Sequence, residues 1–289
     1  ALQYFSDQQI DIAVVECGLG GRLDATNVLE HKICGITSID FDHMDVLGDT
    51  LGQIAREKAG IMRPGIDCVV GNIEHKEAIQ AIQQHANEIG AHLYMAKESR
   101  AQVSPTAQIG VWEVREKHQK QWVESSLMAP VQEFNIQLVL GITEKLQQKY
   151  PLNFEKICLG LKHCRIPARF ERLIEGREWY FDGCHNLSSV KEMVKTATLI
   201  RQNPIFVLSF MQDKVTADLR QYLESLDNLY LYQLDSPRAW RISNENDTLS
   251  AAVRLQHADF RSFFNGYEND LVILGGSFYF YSVVKNWFS

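Results

Sequence analysis

The 289-residue sequence predicts an α/β protein of two domains, a mostly parallel sheet domain followed by a doubly wound one. Three observations carry that expectation. Short apolar runs recur, each followed by glycine or acidic residues, as buried parallel strands require. Helical, amphipathic stretches separate them. The alternation then restarts after His163-Cys164-Arg165-Ile166-Pro167, read as a linker that divides residues 1–164 from residues 165–289.

Ile10 to Val15 is the first apolar run and ends at Glu16; Cys34 to Ile39 is the second and leads to Asp40, Asp42 and His43. A helix from Thr50 to Ile61, a strand from Asp67 to Gly71, a helix from Glu74 to Ile89 and a strand from His92 to Ala96 follow. Residues 99–128 have no 3.6-residue period and read as antiparallel hairpin strands, with Gly110 to Arg115 extended. Pro130 to Lys149 reads as a helix with Val131, Phe134, Leu138, Ile142 and Leu146 on its apolar side, stopped by Pro151. A short helix spans Phe154 to Leu161. In the second domain strands are expected at Phe170 to Ile174, Trp179 to Phe181, Ile205 to Phe210, Leu229 to Leu234 and Leu271 to Leu274. Helices are expected at Leu187 to Arg201, Ala217 to Leu226, Thr248 to Phe264 and Phe278 to Trp287.

Composition narrows the function classes. A net charge of -7 argues against a nucleic-acid-binding face, which would be basic. No apolar run approaches the roughly 18 residues of a membrane span. The six cysteines are scattered without a CxxC pair, as expected of buried, reduced thiols in a cytoplasmic protein.

In parallel sheets ligands gather beyond the carboxyl ends of the strands, where Glu16 and His43 would both sit. A carboxylate there can hold a hard cation through oxygen, although a capping or surface glutamate has the same local sequence. His43 lies in an acidic turn with Asp42 and Asp45, and by itself reads as structural. Lys58 by itself reads as a solvated helix charge.

Three ordered segments change these readings. They are Glu16-Cys17-Gly18-Leu19-Gly20-Gly21-Arg22-Leu23-Asp24-Ala25-Thr26-Asn27, then Ile36-Thr37-Ser38-Ile39 leading to Asp42-His43, then Arg56-Glu57-Lys58-Ala59-Gly60-Ile61. Together they resemble the central ATPase domain of the folylpolyglutamate synthase (tetrahydrofolate synthase, often also dihydrofolate synthase) family, within the Mur ligase superfamily. The resemblance continues through Gln132, Asn135, Arg169, Asp182 to Asn186 and Gly276-Ser277, over nearly the whole chain. It implies a Mur-ligase central ATPase domain and a Rossmann-like C-terminal domain, with the active site in the cleft between them.

The resemblance also implies roles. Glu16 and His43 would be magnesium ligands, His43 at the second of two Mg²⁺ sites, with Asp42 orienting the ring or the loop. Lys58 matches a lysine carbamylated by CO₂, a modification that requires the neutral amine and yields an anionic oxygen ligand. Asp24 and Thr26 would shape the folate and metal side, or simply stabilise their turn. Gln132 and Asn135 match a Gln-x-x-Asn pair that contacts adenine. Arg169 would reach an ATP phosphate, with Ala168 standing where the family has glycine. Asp182 and His185 would lie beside ATP and the incoming glutamate, with Leu187 replacing the family's proline. Lys214 matches the Asp-Lys of the next loop. Ser277 would start a helix whose N-terminus suits a carboxylate.

The implied activity is ATP-dependent addition of L-glutamate to the γ-carboxylate of tetrahydrofolate through an acyl phosphate, with dihydropteroate as a further acceptor, in a protein that is a monomer when full length. Residues 1–289 contain no Gly-rich loop ending in Gly-Lys-Ser or Gly-Lys-Thr. The sequence is therefore expected to be N-terminally incomplete, and the isolated polypeptide to bind ATP weakly and make no polyglutamate. The alternatives are another Mur-type amino-acid ligase, against which the Gly-Leu-Gly-Gly-Arg-Leu-Asp-Ala-Thr-Asn signature argues, and a catalytically inactive fragment that keeps the fold.

Overall fold

Three parallel strands, β1 (Ile33–Ile36), β2 (Asp67–Val70) and β3 (His92–Met95), lie side by side in that order in the computed structural model, which describes residues 2–147, 149–241, 253–255 and 264–288. The register pairs Cys34 with Cys68 and Cys68 with Leu93. Cys34, Ile36, Cys68 and Val70 turn one way, into a core shared with two helices, α3 (Leu51–Ala59) and α4 (Lys76–Ile89), which follow a short α1 (Leu2–Asp7) and α2 (Met44–Leu47). The α3 helix begins at a Thr50–Gln53 capping box and buries Leu51, Ile54, Ala55 and Ala59 along one stripe. The α4 helix buries Ala78, Ile82 and Ala86 at four-residue spacing and ends at Gly90 in the left-handed conformation. Val69 faces the other side of the sheet and packs with Ala96 and with Leu138 of α5 (Gln132–Leu146).

Two expectations for this region need correction. Residues 10–15 form no strand; Ile12 and Val14 are 53% and 97% exposed. An apolar run becomes a strand only where a neighbour takes its N–H and C=O groups, and among the described residues β1 pairs on one edge alone, with β2. The second correction concerns α5. It buries Ile136, Leu138, Leu140 and Gly141, whereas Val131 and Phe134 of the expected stripe are exposed. This helix is apolar on nearly every side, so the periodic pattern does not single out the face that packs.

Strands β4 (Ala101–Pro105), β5 (Val111–Glu116) and β6 (Gln119–Glu124) make a sheet of their own in that order. Two residues, with Lys117 at positive φ, join β5 to β6, as a tight antiparallel hairpin requires. The buried Trp112 indole donates to the Leu127 carbonyl at 2.9 Å, and Ser125 Oγ donates to the Leu161 carbonyl of α6 (Phe154–His163) at 2.8 Å.

A six-stranded sheet organises the C-terminal part. Its order is β11 (Val253–Leu255), β10 (Leu229–Tyr232), β9 (Ile205–Ser209), β12 (Val272–Gly276), β8 (Trp179–Asp182) and β7 (Glu171–Arg172). All neighbours are parallel except β7, which runs antiparallel to β8. β9 and β12 are buried throughout, because helices cover both faces. The helices α7 (Leu187–Ile200) and α8 (Ala217–Glu224) pack on one face with Phe206, Leu208 and Ile273. The α9 helix (Phe278–Phe288) packs on the other with Trp179, Phe181, Val272 and Leu274. The helix expected over Thr248 to Phe264 falls largely outside the described residues; within it, Val253–Leu255 is strand, in register with Tyr230–Tyr232.

The chain divides into two compact units. One takes in the residues up to Val103, Arg115–Lys120 and Phe134–Ile157; the other takes in Ser104–Val114, Gln121–Glu133 and the chain from Cys158 onward.

Candidate functional site

In the first unit the Gly18–Asn27 loop is closed by one side chain. Asp24 Oδ2 accepts the amides of Gly18 and Leu19 at 2.8 and 3.0 Å; Oδ1 accepts the Thr26 amide at 2.9 Å and the Thr26 hydroxyl at 2.6 Å. The Thr26 hydroxyl above all, then the Leu19 and Thr26 amides, hold the Asp24 carboxyl down at about 2. Both residues thus spend their polar atoms inside the loop, which makes it rigid.

The loop is fastened to the end of α3. The Arg22 amide donates to the Glu57 carbonyl at 2.8 Å, and its guanidinium pairs with the Glu57 carboxylate at 3.0 Å. Asn27 Nδ2 donates to the carbonyls of Arg22 and Gly60 at 3.0 and 3.1 Å, while its Oδ1 accepts from Arg63 at 2.8 Å. At Gly21 the backbone comes so close that an added Cβ would lie 2.8 Å from the Lys58 carbonyl oxygen. Lys58 is therefore beside the loop, half-buried, and its ammonium has no hydrogen bond or ion pair among the described residues.

Glu16 is exposed on irregular chain rather than at a strand end, and its carboxylate has no hydrogen-bond or ion-pair partner among the described residues. His43 adopts the left-handed conformation, φ 50° and ψ 41°, at the start of α2, and its Nε2 lies 3.8 Å from Asp42 Oδ1. No three His, Cys, Asp or Glu side chains gather into a metal-sized cluster among the described residues. Mg²⁺ does not need such a cluster, since it keeps several waters and takes one or two carboxylates together with substrate phosphates. Glu16 supplies an uncommitted hard oxygen of that kind.

The second unit assembles its residues at the carboxyl edge of the six-stranded sheet. β8 ends at Asp182, whose register partner on β12 is Gly275; Gly276 is in turn opposite Ser209 of β9. Gly276 has φ +114°, and a Cβ there would collide with the Ser209 carbonyl, so the turn into α9 admits only glycine without strain. The buried Ser277 caps that helix, its Oγ accepting the Tyr279 amide at 3.1 Å. At the N-terminus of α7 an Asn186–Ser189 capping box is in place, and Ser189 Oγ also accepts the His185 amide at 3.1 Å. His185 is partly buried, with Nδ1 3.4 Å from the Gly183 carbonyl.

Arg169 is exposed between two buried residues, Ala168 and Phe170, both at positive φ (56° and 47°). The Gly183 amide donates to the Ala168 carbonyl at 2.7 Å, and the Phe170 amide donates to Asp182 Oδ2 at 3.1 Å. Burial raises the Asp182 carboxyl; the Arg169 charge and the Phe170 and Cys184 amides oppose that without cancelling it. Asp182, His185, Arg169 and Ser277 are thus gathered around the β8 and β12 ends. Lys214 follows β9, 3.9 Å from Asp213, which also lies 3.8 Å from Arg238. Gln132 and Asn135 occupy the first turn of α5, three residues apart and so on one side of it.

Sequence reading passed over the residues that hold these groups in place. Arg63 holds Asn27 from far along the chain, and Glu171, which holds the nearby Ala168 amide, is itself gripped by the distant Tyr281 and Lys285, so neither leaves a periodic trace. Glu57 was legible only as part of a matching segment.

No family model matches the chain. Among curated proteins it is 29% identical over 300 residues to dihydrofolate synthase/folylpolyglutamate synthase of Bacillus subtilis, covering 99% of this chain and 69% of that protein. To folylpolyglutamate synthase of Lacticaseibacillus casei it is 28% identical over 246 residues, 82% of this chain and 57% of that protein. Among solved structures, bifunctional folylpolyglutamate synthase/dihydrofolate synthase from Yersinia pestis c092, complexed with AMPPNP and Mn ion, superposes with a TM-score of 0.76 at 26% identity, covering 99% of this chain and 68% of that one.

Proposed function

The chain belongs to the folylpolyglutamate synthase and dihydrofolate synthase family, and on that premise we propose that it is an ATP-dependent ligase joining L-glutamate to the γ-carboxylate of tetrahydrofolate. Dihydropteroate is a second candidate acceptor, as the bifunctional name of the Bacillus subtilis relative suggests. The observation that supports the reading best is the Arg169 turn: an exposed guanidinium held at the end of β8 beside Asp182.

The chemistry has two steps. A carboxylate oxygen of the folate attacks the γ-phosphorus of ATP, the bond to the bridging oxygen breaks, and ADP leaves with that electron pair. The glutamate nitrogen then attacks the acyl carbon, phosphate leaves with the C–O electron pair, and the nitrogen sheds its protons to solvent. Phosphorylation is needed because a free carboxylate offers no leaving group. Arg169 carries a fixed charge in a forked donor set and would offset the charge that develops on the transferring phosphoryl group. Ser277, at the N-terminus of α9, would receive a carboxylate of the incoming glutamate. Gln132 and Asn135 would contact the adenine, and His185 and Lys214 would flank glutamate.

Glu16 and His43 would hold Mg²⁺, at two sites, and the cation would neutralise phosphate charge. Lys58 is the candidate for carbamylation: its nitrogen adds to CO₂, a proton is released, and an anionic oxygen donor results. Its freedom from any hydrogen bond or ion pair among the described residues supports that assignment. The test is ADP release by the complete protein with Mg-ATP, tetrahydrofolate and glutamate. Release that requires both co-substrates, at one ADP per glutamate incorporated, is expected; release indifferent to folate and glutamate would refute the proposal.

A further inference from the structure

We propose that Glu171 is a positioning residue for Arg169, its carboxylate locking the turn that presents the guanidinium to the nucleotide phosphates; this role rests on the ligase reading above. Glu171 opens β7, two residues after Arg169, and its carboxylate gathers three donors. Oε2 accepts the Ala168 amide at 2.9 Å and the Tyr281 hydroxyl at 2.6 Å, and Oε1 accepts from the Lys285 ammonium at 3.2 Å. Tyr281 and Lys285 are four residues apart on α9, so one face of that helix grips the carboxylate.

The turn needs such a grip. Ala168 and Phe170 both adopt a backbone conformation that side chains disfavour, and such conformations persist only where the surroundings over-determine them. The turn is tied to the end of β8 by the Gly183–Ala168 and Phe170–Asp182 bonds, and to Ile166 by the Arg169 amide at 3.2 Å. Glu171 supplies the remaining tie, to the amide of Ala168. Ala168 and Phe170 are anchored by burial at 0% and 2% exposure, so the guanidinium between them projects from a fixed base. An arginine on a loose loop would lose that entropy on binding phosphate. Burial of Glu171 disfavours its charge, but Tyr281, the Ala168 amide and Lys285 outweigh that and hold the carboxyl below its ordinary range. A glutamine at this place would turn an amide N–H toward one of three donors.

A double-mutant cycle on the complete protein tests this, with Mg-AMPPNP affinity and kcat/KM for ATP as readouts. Glu171→Gln is expected to weaken both on the order of tenfold, and to change neither once Arg169→Ala is present. If Glu171→Gln does not fold, Tyr281→Phe, which removes one of the three donors, should give a smaller loss that also vanishes in the Arg169→Ala background. Losses that add in the double variant would overturn the positioning role and leave the ligase reading standing. A wild-type protein that binds no AMPPNP would overturn both.

Discussion

Phe170 donates its amide to Asp182 Oδ2 at 3.1 Å, so the turn that carries Arg169 is hydrogen-bonded to the last residue of β8. The bond favours the ionised carboxylate, yet burial prevails and Asp182 sits above its ordinary 3.8. Because the native state then holds this proton more tightly than the unfolded chain, the Asp182 contribution to stability falls as pH rises above 3.8. Urea unfolding of wild type and Asp182→Asn across about pH 4 to 7 isolates that contribution. The variant should gain on wild type as pH rises; a difference independent of pH would show that burial does not govern this carboxyl.

Gly276→Ala should destabilise the second unit by about 1–3 kcal/mol or more, through its positive φ and the collision with the Ser209 carbonyl. Gly160, inside α6, meets nothing within 4 Å at the position of an added Cβ. Gly160→Ala should therefore stabilise by about 0.5–1 kcal/mol. Denaturant midpoints of the two variants are expected to move in opposite directions.

Asn27→Ala removes the acceptor of Arg63 and the donor to Gly60 and Arg22 together, at a cost of about 1–3 kcal/mol. The loss should be local. Amide exchange should accelerate at Arg22, Asp24 and Gly60 before any change in β2 or β3, and uniform acceleration would mean that the loop is not a separate element.

Much of the second unit's fold was legible because helices cover both faces of the six-stranded sheet. Ile205–Ser209 and Val272–Gly276 are buried at every position, so a plain apolar run marks them without any need for register. The run at 10–15, apolar except for Asp11, forms no strand, since pairing depends on a neighbour that local sequence does not report. At the site, Asp182 and Ser277 were visible as a strand end and a helix start. Glu171 was not, because the partner that explains it, Tyr281, is 110 residues away.

Lys58→Ala in the complete protein should abolish most ligase activity if Lys58 bears the carbamate, and short carboxylic acids should restore part of it by replacing the missing oxygen donor. Activity unchanged by the substitution would make Lys58 an ordinary helix charge.

The acyl phosphate is the centre of the account, and isotope transfer tests it most directly. Tetrahydrofolate labelled with heavy oxygen in its γ-carboxylate is incubated with the complete protein, Mg-ATP and glutamate, and the inorganic phosphate released is analysed by mass spectrometry. The account predicts that each phosphate formed carries one oxygen from the carboxylate, and that Arg169→Ala slows its formation on the order of 10²-fold. Amide formation accompanied by unlabelled phosphate would contradict it.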